Sequence, residues 1–144
     1  MRSTLLLAAI VSGTTLAAPL FAQDNSGRRY VVSLEGEQEV PVPGDPDGTG
    51  TATLRINPGV GQLCYSLRVN GIAPATAAHV HEAPAGSAGP VVVGLQAPTG
   101  GSSNGCVTIS RELALELIRT PEDYYVNVHN AEFPGGALRG QLAR

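Results

Sequence analysis

Apolar and polar residues alternate along much of the chain after position 29, in short runs separated by Gly, Pro, Asn and Asp. Thr51-Ala52-Thr53-Leu54-Arg55-Ile56 places its apolar residues at every second position. Leu63, Tyr65, Leu67 and Val69 share one face of the run Gln62–Val69. A period of two predicts strands with one dry and one wet face. Pro58-Gly59-Val60-Gly61 between these runs reads as a tight hairpin turn. Further strand-like runs are Tyr30–Leu34, Ala77–Glu82, Val91–Leu95, Gly105–Ile109, Tyr124–His129 and Ala137–Leu142. One stretch has helical spacing. In Arg111–Arg119, Leu113, Ala114, Leu117 and Ile118 form an apolar stripe, with Ser110 as N-cap and Glu112 suited to the positive end of the dipole. Thr120-Pro121 ends it. About eight short strands and one short helix predict an all-β protein, an antiparallel sandwich or barrel. Pro41–Gly48 and Pro98–Asn104 are rich in turn formers and are expected to be mobile loops.

The first residues follow a different pattern. Arg2 precedes an apolar run, Leu5–Val11, and small residues lead to Phe21-Ala22-Gln23. This is the layout of a secretory signal peptide, residues 1–22, cleaved after Ala22. The apolar run is too short for a comfortable membrane span. Residues 23–144 are then one exported domain, periplasmic or extracellular, with no transmembrane segment in the mature chain. At 144 residues there is room for one ordinary domain and hardly two. Cys64 and Cys106 are the only cysteines. In an exported domain an even pair is most simply a disulfide, with a metal-ligating thiol as the alternative. Closing a loop of about forty residues contributes roughly 3–4 kcal/mol in the chain-entropy model.

Charge narrows the partners. The net charge is −3, and all nine basic residues are Arg, with Arg28-Arg29 the only adjacent pair. A phosphate-tracking surface needs clustered cations, so nucleic acid is not an expected partner. The partner remains an unknown protein or small molecule. There is no phosphate loop. Glu35, Glu37 and Glu39 alternate at the first strand and its extension, which predicts a solvated carboxylate row. Asp45 and Asp47 supply two acids in a turn, too few ligands for a calcium loop.

The three histidines carry the chemistry. In Ala78-His79-Val80-His81, residues i and i+2 of a strand put two imidazoles on one face. His129 ends a later strand, on the face of Tyr125 and Asn127. If those strands are neighbours, three imidazoles converge on a site for Cu, Zn, Ni or Fe with an open fourth position. Solvated histidines on a wet sheet face are the plain alternative. Arg139, after Pro134-Gly135-Gly136, stands where glycines let the backbone approach closely. A salt bridge or carbonyl clamp holding that turn would be its structural role.

Five segments taken together resemble a known family. They are Leu34–Pro41 followed by Gly48-Thr49-Gly50, Ala78–His81 with Gly89–Val92, Tyr124–His129, and Pro134–Gly140, in that order. The chain is identified as a member of the CHRD domain family, the module repeated in chordin and found alone in exported bacterial proteins, with its core at about residues 30–142. The resemblance implies a Greek-key, immunoglobulin-like sandwich or barrel with distant similarity to copper/zinc superoxide dismutases. On that similarity His79, His81 and His129 resemble copper ligands, and Arg139 resembles the arginine that guides superoxide. A fourth, bridging His and a His-rich zinc loop are lacking, so only a mononuclear site is implied. The family implies no catalysis. The leading expectation is a binding module holding one copper ion, with zinc second and with Glu82 and Asn130 as groups that orient the imidazoles. A mononuclear copper dismutase-like oxidoreductase and a purely structural or protein-interaction domain are the alternatives, the enzyme ranking last.

Overall fold

Alternation in the sequence becomes alternation in burial along the first three strands. In β1 (Arg28–Glu35), Tyr30, Val32 and Leu34 are buried while their neighbours face water. β2 (Thr49–Asn57) and β3 (Gln62–Asn70) repeat the pattern with Ala52, Leu54 and Ile56, then Leu63, Tyr65, Leu67 and Val69. The computed structural model describes residues 27–144, so the expected signal peptide at residues 1–22 lies outside the described residues. Among the described residues there are eight strands and one α-helix, completed by β4 (Ala75–Glu82), β5 (Val91–Leu95), β6 (Ser102–Thr108), α1 (Arg111–Arg119), β7 (Tyr124–Asn130) and β8 (Leu138–Gln141).

All strand pairs are antiparallel, in the order β5-β4-β7-β8-β1-β2-β3-β6. β1 and β8 share a single register pair, Glu35 with Arg139, so the sheet is two four-stranded halves joined at a narrow seam. The chain crosses from one half to the other three times, between β3 and β4, between β5 and β6, and between β6 and β7 through α1. The opposite edges, β5 and β6, are bridged where Tyr65 Oη accepts from Gln96 N at 2.9 Å and Ser103 Oγ donates to Gln96 O at 2.7 Å. The result is a nearly closed all-β sandwich or barrel around one apolar core. The helix forms as its spacing predicts, with Ser110 Oγ accepting from Leu113 N at 3.0 Å and Ala114 and Leu117 buried.

Three local expectations are corrected. Ser102–Asn104 is not loop but the start of β6, polar because it is an edge strand with Ser102 and Asn104 toward solvent. Pro41–Gly48 is pinned to the body rather than loose: Gly44 N donates to Gly36 O at 2.8 Å and Asp45 N to Ala137 O at 2.9 Å. The carboxylate row does not form. β1 ends at Glu35, a 3₁₀ turn takes Gly36–Gln38, and Glu39 is turned inward to 4% exposure. Cys64 and Cys106 face each other on β3 and β6 and are disulfide-bonded, on the solvent side of the sheet. No helix among the described residues is long and apolar enough to cross a membrane.

Candidate metal centre

β4 and β7 are hydrogen-bonded neighbours, and their register sets the site. His79 lies opposite Asn127, His81 opposite Tyr125 and Ala77 opposite His129. The two-residue period then stacks His81, His79 and His129 along one face. One ligand atom from each of the three histidines lies within 4.8 Å of the others. His81 is buried, and His79 and His129 are half-buried. This convergence is what the spacing of the histidines predicts.

Hydrogen bonds fix which nitrogens face one another. His81 Nδ1 is 2.8 Å from Gly89 O and His129 Nδ1 is 3.0 Å from Pro134 O. A carbonyl oxygen only accepts, so both Nδ1 atoms carry the proton. In the neutral form of each ring Nε2 is then a lone pair. His81 Nε2 is buried with no hydrogen-bond partner. His129 Nε2 meets His79 Nδ1 at 3.2 Å, and His79 is the donor there because His129 Nε2 has no proton to give. Burial, reinforced by mutual repulsion with His129 and His81, pushes the pKa of His79 below its ordinary value. Loss of solvation does the same for His129, with His81 adding to it and the Pro134 carbonyl opposing. These two rings are thus neutral lone-pair donors at neutral pH.

The groups that orient the rings differ from those expected. Gly89 and Pro134 do so through backbone carbonyls, and Asn127 faces His79. Glu82 is exposed at the end of β4, opposite Tyr124. Asn130 is buried, and its Oδ1 accepts from Glu132 N at 3.1 Å and Phe133 N at 2.7 Å, which shapes the turn that carries Pro134. Its influence on His129 therefore runs through that turn.

Arg139 is 2% exposed. Its guanidinium donates to Ser87 O at 2.8 Å, Pro84 O at 3.1 Å and Gln141 Oε1 at 3.2 Å. It also lies 3.5 Å over the centroid of Tyr125, whose ring stacks on His81 at 4.8 Å. A cation so enclosed is a carbonyl clamp, holding the 84–87 loop rather than its own glycine turn. That loop leads directly to Gly89, so the clamp and the His81 hydrogen bond share one segment.

The order of these features along the chain is that of a known module: the CHRD domain model matches residues 30–142. The chain belongs to the CHRD family. Comparison with curated proteins and with solved structures gives no match. In this CHRD domain the matched segment contains all three histidines, the disulfide, Glu39 and Arg139.

Alternation did not reveal that Glu39 lies near the site, and Tyr125 and Asn127, which alternation puts on the face of His129, were given no role there. Their signal is composition: Tyr124-Tyr125-Val126-Asn127-Val128 is apolar on both faces apart from Asn127, the mark of a strand covered on both sides. A polar residue inside such a strand is buried and must find a partner.

Proposed function

We propose that this CHRD domain is an exported binding module that holds one copper ion on His79 Nδ1, His81 Nε2 and His129 Nε2. The observation that carries the reading is the buried, unpartnered Nε2 of His81, whose ring clusters with two further imidazoles. A buried lone pair without a donor is costly, and a metal ion removes that cost. The 3.2 Å between His79 Nδ1 and His129 Nε2 suits two ligands on one ion. Nitrogens bound at about 2.0–2.1 Å in tetrahedral geometry lie about 3.3–3.4 Å apart. An all-imidazole set without carboxylate or thiolate favours copper over magnesium or calcium, and copper over zinc by affinity order. The disulfide and the lack of a spanning helix among the described residues are compatible with export to the periplasm or the medium.

The dismutase-like reading has less support, because the arginine that would guide an anion is buried and gives three hydrogen bonds to carbonyls and a carboxamide. The deciding experiment is metal analysis of the purified protein after copper loading and dialysis, with Cu(II) electron paramagnetic resonance. One retained equivalent with nitrogen hyperfine structure, lost in His79→Ala/His81→Ala, is the expected result. No retained copper, or retention unchanged in the double variant, would sink the proposal and leave a structural or protein-interaction module.

A further inference from the structure

Between segments 40–43 and 132–136 lies a cavity of about 300 Å³ that includes none of the three histidines. Its walls are preformed. Pro41, Pro43 and Pro134 fix their own φ angles. Just beyond Pro43, Gly44 N donates to Gly36 O at 2.8 Å and Asp45 N to Ala137 O at 2.9 Å. On the other side, Asn130 Oδ1 holds the N–H groups of Glu132 and Phe133 at 3.1 and 2.7 Å. Val42, in the wall, is 72% exposed, the most exposed large apolar side chain among the described residues.

The lining is mostly apolar, with Glu132 its one charged residue. The three prolines have no N–H, and those of Glu132, Phe133 and Gly136 are already given to Asn130 Oδ1 and Phe133 O. Few donors are left for an anion. Behind Gly136 lies the buried Glu39 carboxyl, whose Oε1 has no partner. Charge in these two stretches has one sign. Residues 36–48 include Glu37, Glu39, Asp45 and Asp47, residues 130–137 include Glu132, and neither stretch contains Arg or Lys. Glu37, Asp47 and Glu132 are exposed. Arg139 acts on Glu39 from β8, but it is buried and bonded to Pro84 O and Ser87 O.

We propose that this cavity binds a small organic ammonium ion with an apolar body, the body against Val42 and Phe133 and the ammonium toward the Glu132 carboxylate. Volume sets the size of the ligand. A cavity of ~150 Å³ takes benzene, and about 300 Å³ has room for a ring with a short alkyl stem. A largely apolar pocket with a few convergent polar groups is the usual form of a small-molecule site, and fixed walls lower the ordering cost of binding. The cavity is separate from the histidine cluster, so the inference stands or falls independently of the metal reading.

The test is a ¹H–¹⁵N NMR titration of the purified protein at pH 7 with 2-phenylethylammonium. Saturable shifts centred on residues 40–43 and 132–136 are expected. Methylammonium, the head without the body, should bind about 10–100-fold more weakly. Phenylacetate, a similar body with the opposite charge, should bind more weakly by about 5-fold or more. Glu132→Gln, a change at an exposed side chain, is expected to weaken 2-phenylethylammonium by about 2–5-fold. The proposal is overturned by the absence of saturable shifts in this region up to the solubility limit of the probe. It is equally overturned if methylammonium or phenylacetate binds as tightly as 2-phenylethylammonium, or if Glu132→Gln keeps the wild-type affinity. The probe series on the wild type decides the matter even without the variant.

Discussion

Replacing Glu39 by Gln tests whether the fold buries an acid at a cost. Glu39 is 4% exposed, with Oε1 lacking any partner. Loss of solvation is the dominant influence on its carboxyl and outweighs Arg139, the Val40 N–H and Asn127, so the pKa rises from 4.5 to about 7. In the unfolded chain the group titrates at its ordinary value. Between those two pH values the native protein holds a proton that the unfolded chain has released, so stability falls as pH rises. Below about 4.5 both states are protonated and there is no penalty; above about 7 both are ionised and the penalty is complete. The interval corresponds to about 3 kcal/mol. His79 and His129, whose pKa values are depressed, act with the opposite sign and would mask this in the wild type alone. The difference between the wild type and Glu39→Gln removes them. Urea unfolding of both proteins at pH 5, 6, 7 and 8 should show the variant gaining about 2–3 kcal/mol relative to wild type across the series. A difference that stays flat with pH would refute the argument.

Other outcomes follow from the same packing. Gly136→Ala places a methyl group onto the Glu39 carboxylate at a backbone φ of 146°, and is expected to cost about 2 kcal/mol or more in denaturant unfolding. Arg139→Met removes the clamp on Pro84 O and Ser87 O; amide exchange at residues 84–89 should accelerate and stability should fall by about 2–3 kcal/mol. Unchanged exchange and stability would return Arg139 to a role outside the clamp. Cys64→Ser/Cys106→Ser opens a link spanning 42 residues, for a loss of about 4 kcal/mol in the chain-entropy model. Because both sulfurs lie on the solvent side of β3 and β6, copper uptake by the folded variant should persist.

What could be read from the sequence was what period two and local chemistry encode. The core faces of β2 and β3, the Ser110 cap and the pairing of His79 with His81 depend on residues close in sequence or on simple alternation, and the Cys64–Cys106 bond on their being the only two cysteines. The approach of His129 needed only that β4 and β7 be neighbours. Glu39 was misread because the period breaks at Gly36, where a 3₁₀ turn rotates the chain and sends the third glutamate inward. For Arg139 the neighbouring glycines left open what it touches, with a carbonyl clamp among the readings, because glycine gives close approach to protein as readily as to a ligand. Gly140, for instance, packs against Ser33 O. Asn127 was placed on the face of His129, but its burial was hidden, because burial on both faces of β7 is a property of the assembled halves and not of the strand.

The ligands come from β4 and β7, and the 47 residues between His81 and His129 include β5, β6 and α1. An extended chain therefore presents only the His79–His81 pair. The third imidazole arrives after the chain has crossed to the far half, built β6 against β3 and returned. If the three histidines hold a metal, its capture has to follow the pairing of β7 with β4. On the proposed metal-binding reading, tight retention would then report completed folding.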